Sequence, residues 1–158
     1  MSFLEQPAVV AAIFLGVPMD SLRESHWITG VAVWDREQRR IVRMMQALAH
    51  ELLTTQRLEN SQGLSVSQEK KILILKQQVV NVVTWLLSDQ ELLMENCWSD
   101  KSSWRMLHLR QHRYFSTWLE NLTAYTPAAE VQHYGRWWLL SHVAHADQQL
   151  ATDLKLVA

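Results

Sequence analysis

The sequence predicts an all-α protein: an antiparallel up-down four-helix bundle with an N-terminal arm or short helix. Only 4 glycines and 3 prolines occur in 158 residues, about half of average usage, so turns are few and the elements between them are long. Apolar residues recur at spacings of three and four, the period of a helix face, and no stretch has the alternation of a strand. The length suits one domain, with residues 1–30 as the arm and 35–156 as the bundle.

The first helix is predicted over residues 35–56. Asp35 stands where an N-cap or a first-turn acid is favoured. One apolar stripe follows at helical spacing, and its members are Ile41, Met45, Leu48, Leu52 and Leu53. A polar stretch with Gly63, residues 57–68, is predicted to be a loop.

Three further helices follow with short connections. The second, about 68–96 with Ser67 as its cap, is apolar nearly all round in its middle, which is typical of a helix deep in a bundle. The third covers about 101–125. The fourth covers 127–156, with Thr126 as its cap and Pro127 at its first position. Short connections between long helices favour antiparallel neighbours.

Composition excludes several classes of function. The formal net charge is −1, so no basic excess indicates nucleic-acid binding and no polybasic run indicates a membrane surface. The N-terminal stretch "PAVVAAIFLGV" is too short for a membrane span and lacks the preceding positive charge of a signal peptide. With one cysteine, Cys97, no intrachain disulfide is possible, and a cytoplasmic location is expected.

Two pairs of histidines could carry chemistry. His108 and His112 in "HLRQHRYF" are four apart and share a helix face, so they could hold one metal ion or lie solvated on a partly exposed face. In "WWLLSHVAHADQQL", His145 follows His142 by three and Asp147 follows it by five. A separation of five is roughly 140° on an ideal α-helix, so spacing alone favours His142 with His145, or either one alone.

Over residues 27–156 the chain resembles the bacterial hemerythrins. The matches in the third and fourth helices are "HLRQHRYF" and "WLLSHVAHAD". They align the family's motif positions with His108, His112, Phe115, Trp138, His142 and Asp147. Weaker matches in the first two helices are "GVAVWDREQRR" and "WLLSDQELL". The resemblance implies a four-helix bundle around a non-haem iron site that binds dioxygen.

The resemblance implies a degenerate site in this chain. Its three-histidine iron would take His108, His112 and His142, while Asp147 and the shorter Asp89 would be the two bridging carboxylates. The histidines of the second iron fall at Gln38 (or Arg39 with a one-residue shift) and at Trp85, which cannot replace them. An alternative register, counted from Asp89, would put Trp104 and His108 in the two third-helix positions. The histidines of the three-histidine site are expected to point inward and to lie close together.

The function implied is therefore a hemerythrin-like metal-binding domain with one ion per chain rather than two. Iron is the expected ion, with Zn(II) or Mn(II) as alternatives, and the ligand sensed would be dioxygen or nitric oxide. The chain would be a complete small protein or the sensor part of a signalling protein, and a homodimer is possible. The alternative is a metal-free bundle that binds a protein partner. An enzyme is less favoured, because nothing in the sequence supplies a pocket for an organic substrate.

Overall fold

The computed structural model describes residues 27–157 and, within them, all side chains except those of residues 58–62, 156 and 157. Most of the predicted arm, residues 1–26, lies outside the described residues. Over the described range the chain forms four helices and no strand, so the all-α prediction is confirmed. The first three are α1 (Ala32–Gln62), α2 (Val66–Cys97) and α3 (Ser103–Asn121).

The fourth helix, α4, consists of three consecutive segments. It begins as an α-helix, Ala128–Trp137, continues as a π-helix, Trp138–Asp147, and ends as an α-helix, Gln148–Val157. A π-helical stretch of ten residues is unusual, because π-helix mostly occurs as single-turn bulges, frequently at functional sites.

Each helix packs against at least two others. α1 contacts α2 and the beginning of α4, α2 contacts α3 and the end of α4, and α3 contacts the π-helical segment. These contacts are compatible with a four-helix bundle.

Three local predictions at the helix ends were wrong. α1 continues to Gln62, so the predicted loop shrinks to residues 63–65, and Gly63 ends the helix at a positive φ of 77° that glycine adopts without strain. Ser65, not Ser67, caps α2: its side chain accepts from the Gln68 N–H, and the Gln68 side chain accepts from the Ser65 N–H. The Thr126 hydroxyl accepts from the Thr123 N–H rather than capping α4.

The core confirms most of the predicted apolar stripe of α1. Its first four members are at most 1 % exposed, whereas Leu53 is 41 % exposed. The core also contains six buried tryptophans: Trp27, Trp34, Trp98, Trp118, Trp137 and Trp138.

The prediction that α2 lies deep in the bundle was wrong. Ile74, Trp85 and Leu92 on this helix are between 49 and 65 % exposed, so only one side of α2 is in the core. The rotation of a helix about its axis is set by packing against its neighbours, and a helix that is apolar all round does not specify it. None of the helices in residues 27–157 combines the length and apolarity needed to cross a membrane.

Candidate metal centre

Four buried side chains from two helices meet in the core. His108 and His112 come from α3, and His142 and Asp147 come from the π-helical segment of α4. Each is at most 1 % exposed. One nitrogen from each histidine and one oxygen of Asp147 all lie within 4.8 Å of one another. This cluster, called the His3Asp cluster below, could hold a metal ion.

The three imidazole rings converge as predicted. Their centroids are 4.5 Å apart between His108 and His112, 4.6 Å between His108 and His142, and 4.9 Å between His112 and His142. The interpretation of His108 and His112 as two solvated side chains is therefore wrong, because both rings are in the core.

The π-helix explains how His142 and Asp147 reach the same point. In an α-helix, residues five apart point in clearly different directions, roughly 140° around the axis. A π-helix hydrogen-bonds residue i to residue i+5, so residues five apart lie nearly above one another. His142 and Asp147 are five apart and both lie in the π-helical segment. His145, which spacing favoured as the partner of His142, is exposed instead.

The ligand atoms are placed as around a single cation. Asp147 Oδ1 lies 2.9 Å from His108 Nε2 and 2.9 Å from His142 Nε2. Neither contact has the geometry of a hydrogen bond, and His112 Nε2 is likewise buried without a hydrogen-bond partner. Two ligand atoms bound side by side to one ion, with bonds of about 2.1 Å, lie about 3 Å apart. The two contacts of Asp147 Oδ1 have this spacing, and all four ligand atoms lie within 4.8 Å of one another, so the cluster could hold a metal ion.

Hydrogen bonds behind two of the histidines orient their rings. His112 Nδ1 lies 2.9 Å from a carboxylate oxygen of Glu91, and His142 Nδ1 lies 2.6 Å from the amide oxygen of Gln111. Both partners are acceptors, so each Nδ1 carries the proton and donates it. This tautomer leaves the Nε2 lone pair of both rings free for a metal, an arrangement common around metal-bound histidines.

Gln38 of α1 holds Asp147 and Trp138 together. Its Nε2 donates to Asp147 Oδ2 over 3.2 Å, and its Oε1 accepts from Trp138 Nε1 over 2.9 Å. Gln38 is fully buried, and the indole can only donate, so these bonds set the orientation of the amide. Asp147 is thereby turned so that Oδ1 faces the histidines.

Electrostatics favour the neutral form of His112 and His142 and the ionised form of Asp147. Burial lowers the pKa of His112, and the nearby His108 and His142 lower it further, against the opposing effect of Asp147. Burial also lowers the pKa of His142, although Asp147 counteracts it. Burial by itself would raise the pKa of Asp147, but the contacts with His142 and His108 outweigh it and hold the pKa well below its usual range. These are the protonation states that a metal requires of its ligands.

The remaining predicted residues lie elsewhere. Asp89 is not a member of the His3Asp cluster, and its Oδ2 accepts from the indole N–H of Trp34 over 3.1 Å. Trp85, at the position where the resemblance places a lost histidine of the second iron, is 49 % exposed. Trp104 is 40 % exposed and is not a member of the His3Asp cluster, whereas His108 and His112 both are.

Sequence reasoning missed Glu91 and Gln111, which contact the rings of His112 and His142. Glu91 lies two residues after Asp89, and Gln111 directly precedes His112. The adjacency of Gln111 to a histidine was visible, but its side chain reaches a histidine 31 positions away. Only the packing of α3 against α4 reveals that contact.

No protein-family model, curated protein or solved structure matches the chain in comparisons with known proteins.

Replacing Gln38 with leucine tests the bonds behind Asp147. Leucine has similar bulk but leaves Trp138 Nε1 and Asp147 Oδ2 unpaired in the core. Because each buried unsatisfied group costs about 1–3 kcal/mol, the loss of both bonds in Gln38→Leu should lower the free energy of unfolding in urea by about 2–6 kcal/mol. Gln77→Leu is the control, since Gln77 bonds Asn81 at the surface, and it should change stability by less than about 0.5 kcal/mol. Equal effects of the two substitutions would contradict this assignment.

Proposed function

We propose that this protein is a hemerythrin-like domain that binds one metal ion, iron, through His108, His112, His142 and Asp147. The observation that carries the proposal is the convergence of three buried imidazole nitrogens and one carboxylate oxygen that have no hydrogen-bond partner. The resemblance of α3 and α4 to the hemerythrin motifs supports the same residues.

A bound cation would compensate the negative charge of the Asp147 carboxylate in the His3Asp cluster. Asp147 is fully buried, and its lowered pKa keeps it ionised at neutral pH. The lowered pKa values of His112 and His142 keep these two partners neutral. A buried carboxylate without a compensating charge is costly, and a divalent ion among these four ligands supplies that charge.

The donor set suits a first-row divalent ion. Three imidazoles and one carboxylate fit Fe(II), Zn(II) and Mn(II), and the resemblance favours iron. Four protein ligands leave room for a further ligand on a six-coordinate ion, and we assign that position to a small molecule such as dioxygen or nitric oxide. The chain's own residues orient the ligands through Glu91, Gln111 and Gln38, and they exclude bulk water from the site.

A second ion would lack ligands. The first-helix position holds Gln38, whose nitrogen already donates to Asp147 Oδ2, the oxygen that a bridging carboxylate would give to a second ion. Asp89, the other expected bridge, accepts from Trp34. Trp85 is exposed, and its indole could not bind a metal in any case. The reversible dioxygen binding of two-iron relatives should therefore be absent.

The bundle is proposed to have the antiparallel up-down arrangement. The helix contacts are compatible with it, because consecutive helices touch and α4 also packs against α1. The connection between α1 and α2 is three residues long, 63–65, and short connections join antiparallel neighbours.

A second candidate function is a metal-free bundle that binds a protein partner. The exposed apolar side chains of α2 favour it, since Ile74, Trp85 and Leu92 present apolar surface to solvent. Metal content separates the two functions, because the interaction module needs no ion in the His3Asp cluster.

Elemental analysis of protein purified without chelator tests the proposal. One ion per chain is expected, with iron the most abundant when iron is supplied. His112→Ala should lose most of the metal, whereas His145→Ala, which removes an exposed histidine of α4, should retain it. Two iron atoms per chain, or the intense near-ultraviolet absorption of an oxo-bridged iron pair, would contradict the one-ion site. Metal-free protein that takes up no ion would favour the interaction module.

A further inference from the structure

Aromatic rings lead continuously from the His3Asp cluster towards the surface. The ring of His142 stacks on Trp138 with centroids 4.0 Å apart and planes 20° from parallel, and Trp138 stacks on Phe115 at 4.2 Å and 15°. Further ring contacts extend this stack. The complete set, called the aromatic relay below, is Trp138, Phe115, Trp137, Trp118, Tyr134 and Tyr114.

The outer end of the relay is a pair of tyrosines. Tyr134 stacks on Trp118 at 4.2 Å with planes 8° from parallel. Its hydroxyl lies 2.9 Å from the hydroxyl of Tyr114. Both tyrosines are half-buried, so this end of the relay is accessible to solvent while the inner end touches a histidine of the buried cluster.

Two branches connect Trp138 to the tyrosines. One passes through Phe115 to Trp118, whose rings have centroids 5.8 Å apart. The other passes from Trp138 to Trp137, 6.2 Å away, and from Trp137 to Tyr114, 5.5 Å away. Indole and phenol side chains can lose one electron at potentials that strong biological oxidants reach, whereas phenylalanine cannot. The Trp137 branch therefore contains only oxidisable rings, at contact distance throughout.

Proton acceptors stand where oxidation would release protons. Trp118 Nε1 donates to a carboxylate oxygen of Glu130 over 2.9 Å, so an oxidised indole there can pass its proton to Glu130. Burial and then the hydrogen bond with Tyr114 raise the pKa of Tyr134, which therefore carries its proton at neutral pH. Loss of an electron from this pair must be accompanied by loss of a hydroxyl proton.

We propose that the aromatic relay carries an electron from the Tyr114–Tyr134 pair to the His3Asp cluster when a peroxide is reduced there. The electron moves inward to Trp138 by one of two routes. One passes through Trp137, and the other passes from Trp118 across the ring of Phe115, which is not itself oxidised. A tyrosyl radical then remains near the surface, where a soluble reductant can reach it. The inner end of the relay rests on the proposed metal site, whereas its outer rings do not.

The reaction balances with iron in the cluster. An Fe(II) ion held by His108, His112, His142 and Asp147 would supply one of the two electrons that reduce hydrogen peroxide to two water molecules, and a tyrosine of the relay would supply the other. Reduction of the peroxide consumes two protons. The tyrosine hydroxyl releases one proton, so the net uptake from solvent is one proton. With iron bound, the balance would be hydrogen peroxide, Fe(II), one tyrosine and one proton consumed, and Fe(III), one neutral tyrosyl radical and two waters formed. The relay thereby moves an oxidising equivalent out of the core.

The first experiment adds hydrogen peroxide to iron-loaded protein and records electron paramagnetic resonance spectra of rapidly frozen samples. A tyrosyl radical is expected, identified by incorporation of ring-deuterated tyrosine. The radical should be lost in two double variants that keep an aromatic ring at each position. Tyr114→Phe/Tyr134→Phe removes the electron donors, and Trp118→Phe/Trp137→Phe removes an oxidisable ring from each branch.

The matched control is Tyr125, the one tyrosine of the chain outside the Tyr114–Tyr134 pair. It is 67 % exposed and is not a member of the relay, so Tyr125→Phe should leave the radical unchanged. A radical that persists in the Tyr114/Tyr134 double variant, or that disappears in Tyr125→Phe, would overturn the proposal, because oxidants diffusing through solvent would attack the most exposed ring.

A second experiment needs no metal. Pulse radiolysis with azide radicals oxidises tryptophan in the metal-free protein, in which Trp85→Phe and Trp104→Phe remove two exposed indoles. The tryptophanyl radical should convert to a tyrosyl radical at a rate independent of protein concentration, with or without Tyr125→Phe. Absence of this conversion, or its persistence in the Tyr114/Tyr134 double variant, would overturn the relay. Failure to load iron would contradict the proposed function alone, and this measurement would then decide on the relay.

Discussion

Adding Fe(II) or Zn(II) under anaerobic conditions to chelator-treated protein is expected to raise its melting temperature by about 10 °C. An ion that binds only the folded state stabilises it by about 4 kcal/mol when free ion is 1,000 times the dissociation constant. Each kcal/mol shifts the melting temperature of a protein of this size by roughly 2–4 °C. Differential scanning calorimetry at matched free-metal concentrations measures the shift, and renewed chelation should reverse it.

Matched histidine variants locate the effect. His112→Ala removes one of the four converging ligand atoms and should abolish most of the metal-dependent shift, while circular dichroism shows that the helices still form. His145→Ala removes an exposed histidine from the same helix as His142 and should keep the full shift. A metal-dependent shift of the same size in His112→Ala would place the ion elsewhere, and no shift in the parent protein would favour the metal-free interaction module.

The metal-free protein is expected to lose stability steeply as the pH falls from about 6.5 towards 5. His112 and His142 have lowered pKa values in the folded state, so the unfolded chain binds more protons in this range. The stability contributed by these two histidines is therefore fully present above the histidine pKa of the unfolded chain. It is lost as the pH falls towards their lower pKa in the folded state. Each histidine contributes at most about 1.4 kcal/mol per pH unit, so the total loss by pH 5 should be roughly 2–4 kcal/mol.

The same reasoning applies to Asp147 at lower pH. Its folded pKa is also lowered, so the stability it contributes is present above the usual aspartate pKa and is lost only as the pH falls further.

Urea unfolding in the presence of chelator, between pH 7.5 and 5, measures the stability lost through the histidines. His112→Gln removes one titrating group and should reduce the slope by about half. An unchanged slope in this variant would show that other groups cause the acid sensitivity.

The sequence predicted the elements of the fold better than their ends and orientations. The scarcity of glycine and proline and the apolar spacing correctly indicated four long helices in residues 27–157. The start of α2 differs from the prediction because Ser65, not Ser67, accepts from the Gln68 N–H. Trp85 shows the same limit for orientation, since only packing sets which side of α2 faces the core.

What the sequence determined by itself is the set of residues that local periodicity controls. His108 and His112 share a face because they are one helical turn apart, but the sequence left open whether that face is buried or exposed to solvent. The resemblance to the hemerythrin motifs added His142 and Asp147, which ideal α-helical spacing would have separated.

Only the tertiary structure decided how those residues meet. The π-helical hydrogen bonding of Trp138–Asp147 brings Asp147 under His142, and the packing of α1 and α3 on this segment supplies Gln38 and Gln111. These contacts join residues 109 and 31 positions apart, and no local pattern encodes a distance of that kind. The convergence of ligand atoms follows from the packing of helices, because periodicity specifies the face of each helix but not what the neighbouring helix presents to it.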